Sequence, residues 1–185
     1  FTQGTFTISQ RSLTVSAAAK EKTYGNPDPE LTYSITGGSL ASGDGFTGSL
    51  TRTSGENAGT YTINQGTLKV TNSNCYNFTF KSATFKINPR AVTVKANDAY
   101  IDYGDNPPSY SVTYENLVSG DNPGHTATCS YVKGNNAGTY DITVNAKTHQ
   151  NYTFTYVKGT LHVSKIPVYI TPNHINITYG DTLPA

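Results

Sequence analysis

Asn57-Ala58-Gly59-Thr60-Tyr61 returns unchanged as Asn136-Ala137-Gly138-Thr139-Tyr140, an offset of 79 residues. The same offset carries Tyr24-Gly25-Asn26 to Tyr103-Gly104-Asp105, and a third copy follows 76 residues later as Tyr179-Gly180-Asp181. Phe78-Thr79-Phe80 matches Phe154-Thr155-Tyr156. Ala83-Thr84-Phe85-Lys86-Ile87 matches Gly159-Thr160-Leu161-His162-Val163, with an echo at Gly4-Thr5-Phe6-Thr7-Ile8. A period of about 77 residues exceeds the roughly 20–50 of a solenoid unit and suits a small autonomous domain. The chain therefore reads as 1–10, the last strand of a preceding repeat; 11–88, repeat one; 89–165, repeat two; and 166–185, the truncated start of a third.

Within each repeat apolar residues alternate in the same phase. Leu13 and Val15 answer to Val92 and Val94, Tyr61 and Ile63 to Tyr140 and Ile142, Tyr76, Phe78 and Phe80 to Tyr152, Phe154 and Tyr156, and Leu31, Tyr33 and Ile35 to Tyr110, Val112 and Tyr114. Period two marks half-buried strands, and a slip of one residue would turn a strand's apolar set outward. No segment of ten residues carries a 3.6-residue period. The best helical candidates are single turns at 39–43 and 116–120. The seams read Ile87-Asn88-Pro89-Arg90-Ala91-Val92 and Val163-Ser164-Lys165-Ile166-Pro167-Val168, with no Gly/Ser linker. One strand runs almost directly into the next, which predicts a stiff rod of two bodies, each about 11–12 Å in radius of gyration.

The ordered series Lys22-Thr23-Tyr24-Gly25-Asn26, Gly43-Asp44, Asn57 to Tyr61, Phe78-Thr79-Phe80 and Thr84-Phe85-Lys86-Ile87, repeated from Tyr103 to Val163, resembles the MBG domain of the YGX type. The resemblance implies mostly β, tandem small β-grasp-like modules, without catalysis or cofactor, in arrays of bacterial extracellular and adhesin-like proteins. Two departures stand out: Lys133-Gly134-Asn135 replaces an acidic step, and Cys129 takes the place of Leu50. An immunoglobulin-like β-sandwich is the alternative, since a Gly turn delivering a Tyr into a strand also suits that fold.

Lys and Arg number 13 against 12 Asp and Glu, with no basic run, which disfavours nucleic acid. No stretch of about 18 apolar residues predicts membrane insertion. Neither a leader nor an anchoring tail is evident, so both ends read as cuts in a longer polypeptide. The four histidines lack metal-ligand spacing and are expected at the surface. Cys75 and Cys129 fall at different repeat positions and are expected to be unpaired. Asp44 and Asp121 follow Gly without a calcium-loop pattern and suggest turn residues. Asn26, Asp105 and Asp181 are expected to close the turn after their glycine. Asn77, Asn151 and Asn176 open chance Asn-x-Thr sequons. Lys20 and Lys22 raise an intramolecular Lys–Asn crosslink, which the aligned Ala99 and Ile101 exclude as a property of the repeat.

No catalytic, cofactor-binding or metal residue is expected. Most of the 14 tyrosines lie on the inward phase. Tyr100, Tyr131 and Tyr169 lie off it and are the candidates for ligand contact. The expected role is a non-catalytic stalk or spacer at the bacterial cell surface or in secreted form, with neighbouring repeats as partners. The alternatives are an adhesive module binding a host glycan or surface protein, and an accessory module to an enzyme elsewhere in the parent chain.

Overall fold

The structure, a computed structural model, describes residues 3–182. The first module holds β1 (Arg11–Ala17), β2 (Lys20–Thr23), β3 (Tyr33–Gly38), β4 (Phe46–Thr47), β5 (Thr51–Arg52), β6 (Gly59–Asn64), β7 (Lys69–Val70), β8 (Tyr76–Lys81) and β9 (Ala83–Asn88). The second holds β10 (Arg90–Ala96), β11 (Ala99–Asp102), β12 (Val112–Glu115), β13 (Ala127–Cys129), β14 (Gly138–Val144), β15 (Tyr152–Val157) and β16 (Gly159–Ser164).

Each module is built on two small sheets, ordered β3-β1-β8 and β2-β9-β6-β5 in the first, β12-β10-β15 and β11-β16-β14-β13 in the second, and the first module adds a two-stranded β4-β7 sheet. The opening run of each module crosses from one sheet to the other, and the closing run does the same. Opening and closing runs pair in parallel, β1 with β8 and β2 with β9, and likewise β10 with β15 and β11 with β16. That pairing of first with last strand is the grasp-like feature, and it departs from the antiparallel sheets of an immunoglobulin-like sandwich. The described residues contain no α-helix. The segments 39–43 and 116–120 form tight turns closed by Asp44 N–H on Ala41 O and Asp121 N–H on Val118 O. Among the described residues the one helical turn is a 3₁₀ turn at Ser73–Cys75.

The alternation puts matching side chains inside. Val15, Leu50, Ile63, Leu68, Phe85 and Ile87 form the main core of the first module; Ala96, Tyr131, Ile142, Leu161 and Val163 form that of the second. Smaller clusters lie at the upstream end of each, around Leu13, Val70 and Tyr76 and around Val92, Val94 and Tyr152. The motif tyrosines turn the corner alike: Tyr61 and Tyr140 donate to the backbone carbonyls of Asn57 (2.8 Å) and Asn136 (2.7 Å).

Several expectations need correction. Tyr131 is 3% exposed and packs edge-on to Tyr140. Its position in the main core removes it as a ligand-contact residue. His125 is 7% exposed, not a surface histidine. It lies edge-on to Phe154 with its ring nitrogens 3.3 Å from the hydroxyls of Tyr114 and Tyr156, and burial, with Lys147 nearby, lowers its pKa. Cys129 pairs with Ile142 as Arg52 pairs with Ile63, so it matches Arg52 and not Leu50. The two residues regained by the second module thus fall after Cys129, in the loop carrying Lys133 and Gly134. Tyr33 and Ile35 are more exposed than their phase suggests, because β3 is an edge strand. Residues 3–10 and 165–182 hold no strand; they find no partner edge among the described residues. Cys75 and Cys129 are free thiols.

Candidate functional site

The two repeated motifs meet at the seam between the modules. β9 ends at Asn88 and β10 begins at Arg90, so Pro89 alone separates them. Across this seam, the first module presents the Tyr24-Gly25-Asn26 turn and the Asn57-Ala58 peptide. The second presents Arg90, the Val118–Asp121 turn, and Gln150-Asn151-Tyr152.

Six side-chain hydrogen bonds cross the seam. Tyr24 donates its hydroxyl to Asp121 Oδ2 (3.0 Å). Arg90 donates from Nε to Tyr24 O (2.8 Å) and from Nη2 to Asn26 Oδ1 (2.5 Å). Asn151, buried, accepts the Ala58 N–H at Oδ1 (2.8 Å) and donates from Nδ2 to Asn57 Oδ1 (3.0 Å), while Gln150 donates to Ala58 O (3.1 Å). The backbone N–H and C=O of Ala58 are thereby both satisfied by the next module, as buried backbone polar groups must be. The Tyr24 ring meets Tyr152 edge to face at 5.4 Å and packs into the Val92–Val94 cluster of the other module.

Gly25 explains the middle letter of its motif. Its φ is +81°, and a Cβ there would lie 2.5 Å from Val118 Cγ2. Only glycine permits both the turn and the close approach. Asp121 accepts Tyr152 as well as Tyr24; burial first and then Asp121 push the Tyr152 phenol up to about 12. The first module repeats this acceptor: Tyr76 donates to Asp44 Oδ2 (2.5 Å) and accepts the Ala41 N–H (2.8 Å). Asp44 and Asp121 are thus phenol acceptors sitting on turns. Asp105 and Asp181 close their own turns through Asp102 N–H and Thr178 N–H, as expected, whereas Asn26 instead serves Arg90.

A second cluster belongs to the first module alone. Lys22, whose side chain is 5% exposed, lies 2.6 Å from Asp28 and 2.5 Å from Glu56. Arg52 binds both carboxylates, donates to the carbonyls of Gly55 (2.7 Å) and Thr53 (3.0 Å), and lies 4.8 Å over the Phe85 ring. Lys22 thus faces carboxylates and no asparagine. Burial opposes its charge, but Asp28 and Glu56 together raise its pKa, while Arg52 depresses Asp28 and Lys22, followed by Arg52, depresses Glu56. An amine held charged between ionised acids forms an ion network and not a condensing pair. In the second module the Lys22 position is Ile101, and Tyr131 covers Tyr140 as Arg52 covers Tyr61.

The pH dependence follows from the sign of these shifts. Asp28 and Glu56 titrate lower folded than unfolded, so their contribution is complete above the unfolded values, about pH 4, and vanishes as pH falls through the folded ones. Acid titration followed by amide NMR will show the first module losing stability more steeply than the second below about pH 4. Equal losses would contradict the assignment.

The remaining tyrosine candidates do not converge. Tyr100 is exposed and stacks on His162 (4.7 Å, 7°), and Tyr169 is exposed in the segment after β16. A groove of about 880 Å³ runs beside β15, lined by Lys147, His149, Tyr152, Phe154 and Tyr156. In the first module a β4–β7 ribbon accompanies the corresponding strand, with Phe46 against Tyr33 and Phe78; the second lacks that ribbon among the described residues. No group of three or more His, Cys, Asp or Glu side chains among the described residues is arranged to hold a metal ion.

No curated protein matches the chain in sequence. The sequence profile of the MBG domain (YGX type) matches residues 13–86 and again residues 92–162. With both matches in register with the two modules, and the Tyr-Gly-X turn of the first found at the seam, the chain belongs to the MBG domain family of the YGX type.

Proposed function

We propose that these modules serve as stalk or spacer repeats of a bacterial surface or secreted adhesin-like protein, their partners being the neighbouring repeats of the same chain. The observation that carries this reading is the seam: the motifs that repeat along the chain hold one module to the next. A spacer that keeps a distal domain at a fixed distance needs joints that resist bending. One proline between strands and six cross-seam hydrogen bonds supply such a joint.

Small-angle scattering on dilute protein should fit two bodies in a narrow range of orientations. Asn151→Ala strands the buried Ala58 N–H at a cost of about 1–3 kcal/mol and should broaden that range while both modules stay folded. A profile fitting one sphere, or a broad ensemble already in the parent chain, would refute the rigid spacer.

A second reading, a glycan-binding adhesive module, rests on the groove beside Phe154 and Tyr156, where ring faces and the polar Lys147 and His149 lie together. A glycan array separates the two. Saturable binding weakened by Tyr156→Ala supports adhesion, and a blank array supports the spacer.

A further inference from the structure

We propose that His125 is a pH latch on the joint between the modules: a second proton on its ring frees the two segments that carry the second module's half of the seam, so the joint is tight at neutral pH and loosens in mildly acidic surroundings. The inference rests on the spacer reading above and adds a means of regulating it.

Both segments pass His125. Residues 117–125 carry the Val118 N–H, which bonds the Tyr152 hydroxyl (3.3 Å), and Asp121, which accepts from Tyr24 and Tyr152. Residues 145–151 carry Lys147 and then Gln150 and Asn151, which hold Asn57 and Ala58 of the first module. One clasp ties the two segments together. The Tyr156 hydroxyl accepts the Lys147 N–H (2.9 Å), donates to Lys147 O (3.0 Å) and lies 3.3 Å from His125 Nε2. The Lys147 amine donates to Gly124 O, next to His125.

The clasp suits a neutral ring. With its proton on Lys147 O, the Tyr156 hydroxyl can only accept from His125, which assigns the ring proton to Nε2. Nδ1 is then bare and takes the Tyr114 O–H at 3.3 Å, while the Tyr114 oxygen accepts the His125 backbone N–H (3.0 Å). A proton on Nδ1 would confront that O–H and put a charge in a site 7% exposed, against the Phe154 ring. The titratable groups facing the ring are Tyr114 from β12, Tyr156 from β15 and Lys147 from the 145–151 segment; among the described residues no carboxylate hydrogen-bonds to it. In the first module Phe46 lies against Phe78 much as His125 lies against Phe154, and that ring does not titrate.

Burial, and then Lys147, lower the pKa of the latched ring, so the released ring binds more protons than the latched one. Tightness is therefore complete above the free value, about pH 6.5, and declines as pH falls towards the latched value. The decline begins well above the range near pH 4 in which Asp28 and Glu56 act.

Hydrogen exchange at the Ala58 amide of the whole chain, from about pH 7.5 to about pH 4.5 and corrected for the intrinsic rate, tests this, because Asn151 holds that N–H across the seam. Protection should fall by up to about tenfold per pH unit below about pH 6.5, the limit for one proton. His125→Phe should abolish the fall. Lys147→Gln, by removing a like charge, should move it to higher pH, and this shift decides the matter if His125→Phe does not fold. His149→Gln should leave the fall in place; His149 is the control because it is exposed on the same segment and accepts the Asn151 N–H at Nδ1 (3.1 Å). Constant protection in the parent, a fall that survives His125→Phe, one unmoved by Lys147→Gln, or one removed by His149→Gln overturns the latch alone. An Ala58 amide already unprotected at about pH 7.5 refutes the seam, and the spacer reading with it.

Discussion

Phe85→Ala will remove about 3–5 kcal/mol from the first module and unfold it at denaturant concentrations where the second remains native. Phe85 is fully buried at the centre of the first main core, on the closing strand β9, beneath the Arg52 guanidinium. Its loss opens a cavity and also removes the surface on which Arg52 lies. A module of this size holds about 4–12 kcal/mol in total, so one such substitution takes a large share. Urea unfolding followed by residue-resolved NMR should show two separated transitions where the parent shows transitions closer together. A uniform drop across both modules would mean that they share one cooperative core.

Arg52→Ala is the second large effect, about 2–3 kcal/mol and again confined to the first module. The figure is below that for a fully buried ion pair because Asp28 and Glu56 reach solvent. Arg52 alone ties both carboxylates, two backbone carbonyls and two aromatic faces together. Lys22→Ile, in contrast, installs the residue found at the same place in β11 and should stay within about 1 kcal/mol of the parent. It removes a buried amine while Arg52 still satisfies both acids. Chemical denaturation of the two variants should therefore rank them far apart. If Lys22→Ile is as costly as Arg52→Ala, the network depends on the amine as much as on the guanidinium.

The parts legible in sequence were those fixed by periodicity. Shared phase placed Val15 with Val94, Ile63 with Ile142 and Phe85 with Leu161 inside their cores, because a strand has only two faces. The seam was legible as covalent continuity, from Pro89 and the missing linker. Its chemistry was not, since Tyr24, Asp121 and Asn151 lie far apart in sequence and each has an ordinary local explanation. A signal existed in the recurrence itself: Tyr-Gly and Gly-Asp return at module spacing, as residues serving a repeated joint would. Tyr131 and His125 were misplaced because both lie in loops whose lengths differ between modules, where the offset that aligns strands gives no guide to burial.

The pairing of each opening strand with its closing strand in parallel has a mechanical consequence. When such a chain is pulled from its two ends, β1 is drawn one way and the β8–β9 run the other, along the ladder they share. The load then falls in shear across the whole row from Arg11–Tyr76 to Ser16–Lys81, and across Lys20–Phe85 to Thr23–Asn88, so the bonds cannot peel one at a time. Between modules the tension passes through β9, Pro89 and β10 without a slack segment to extend first. A chain wired in this way transmits force at nearly constant length until a whole ladder ruptures, which suits a tether under flow.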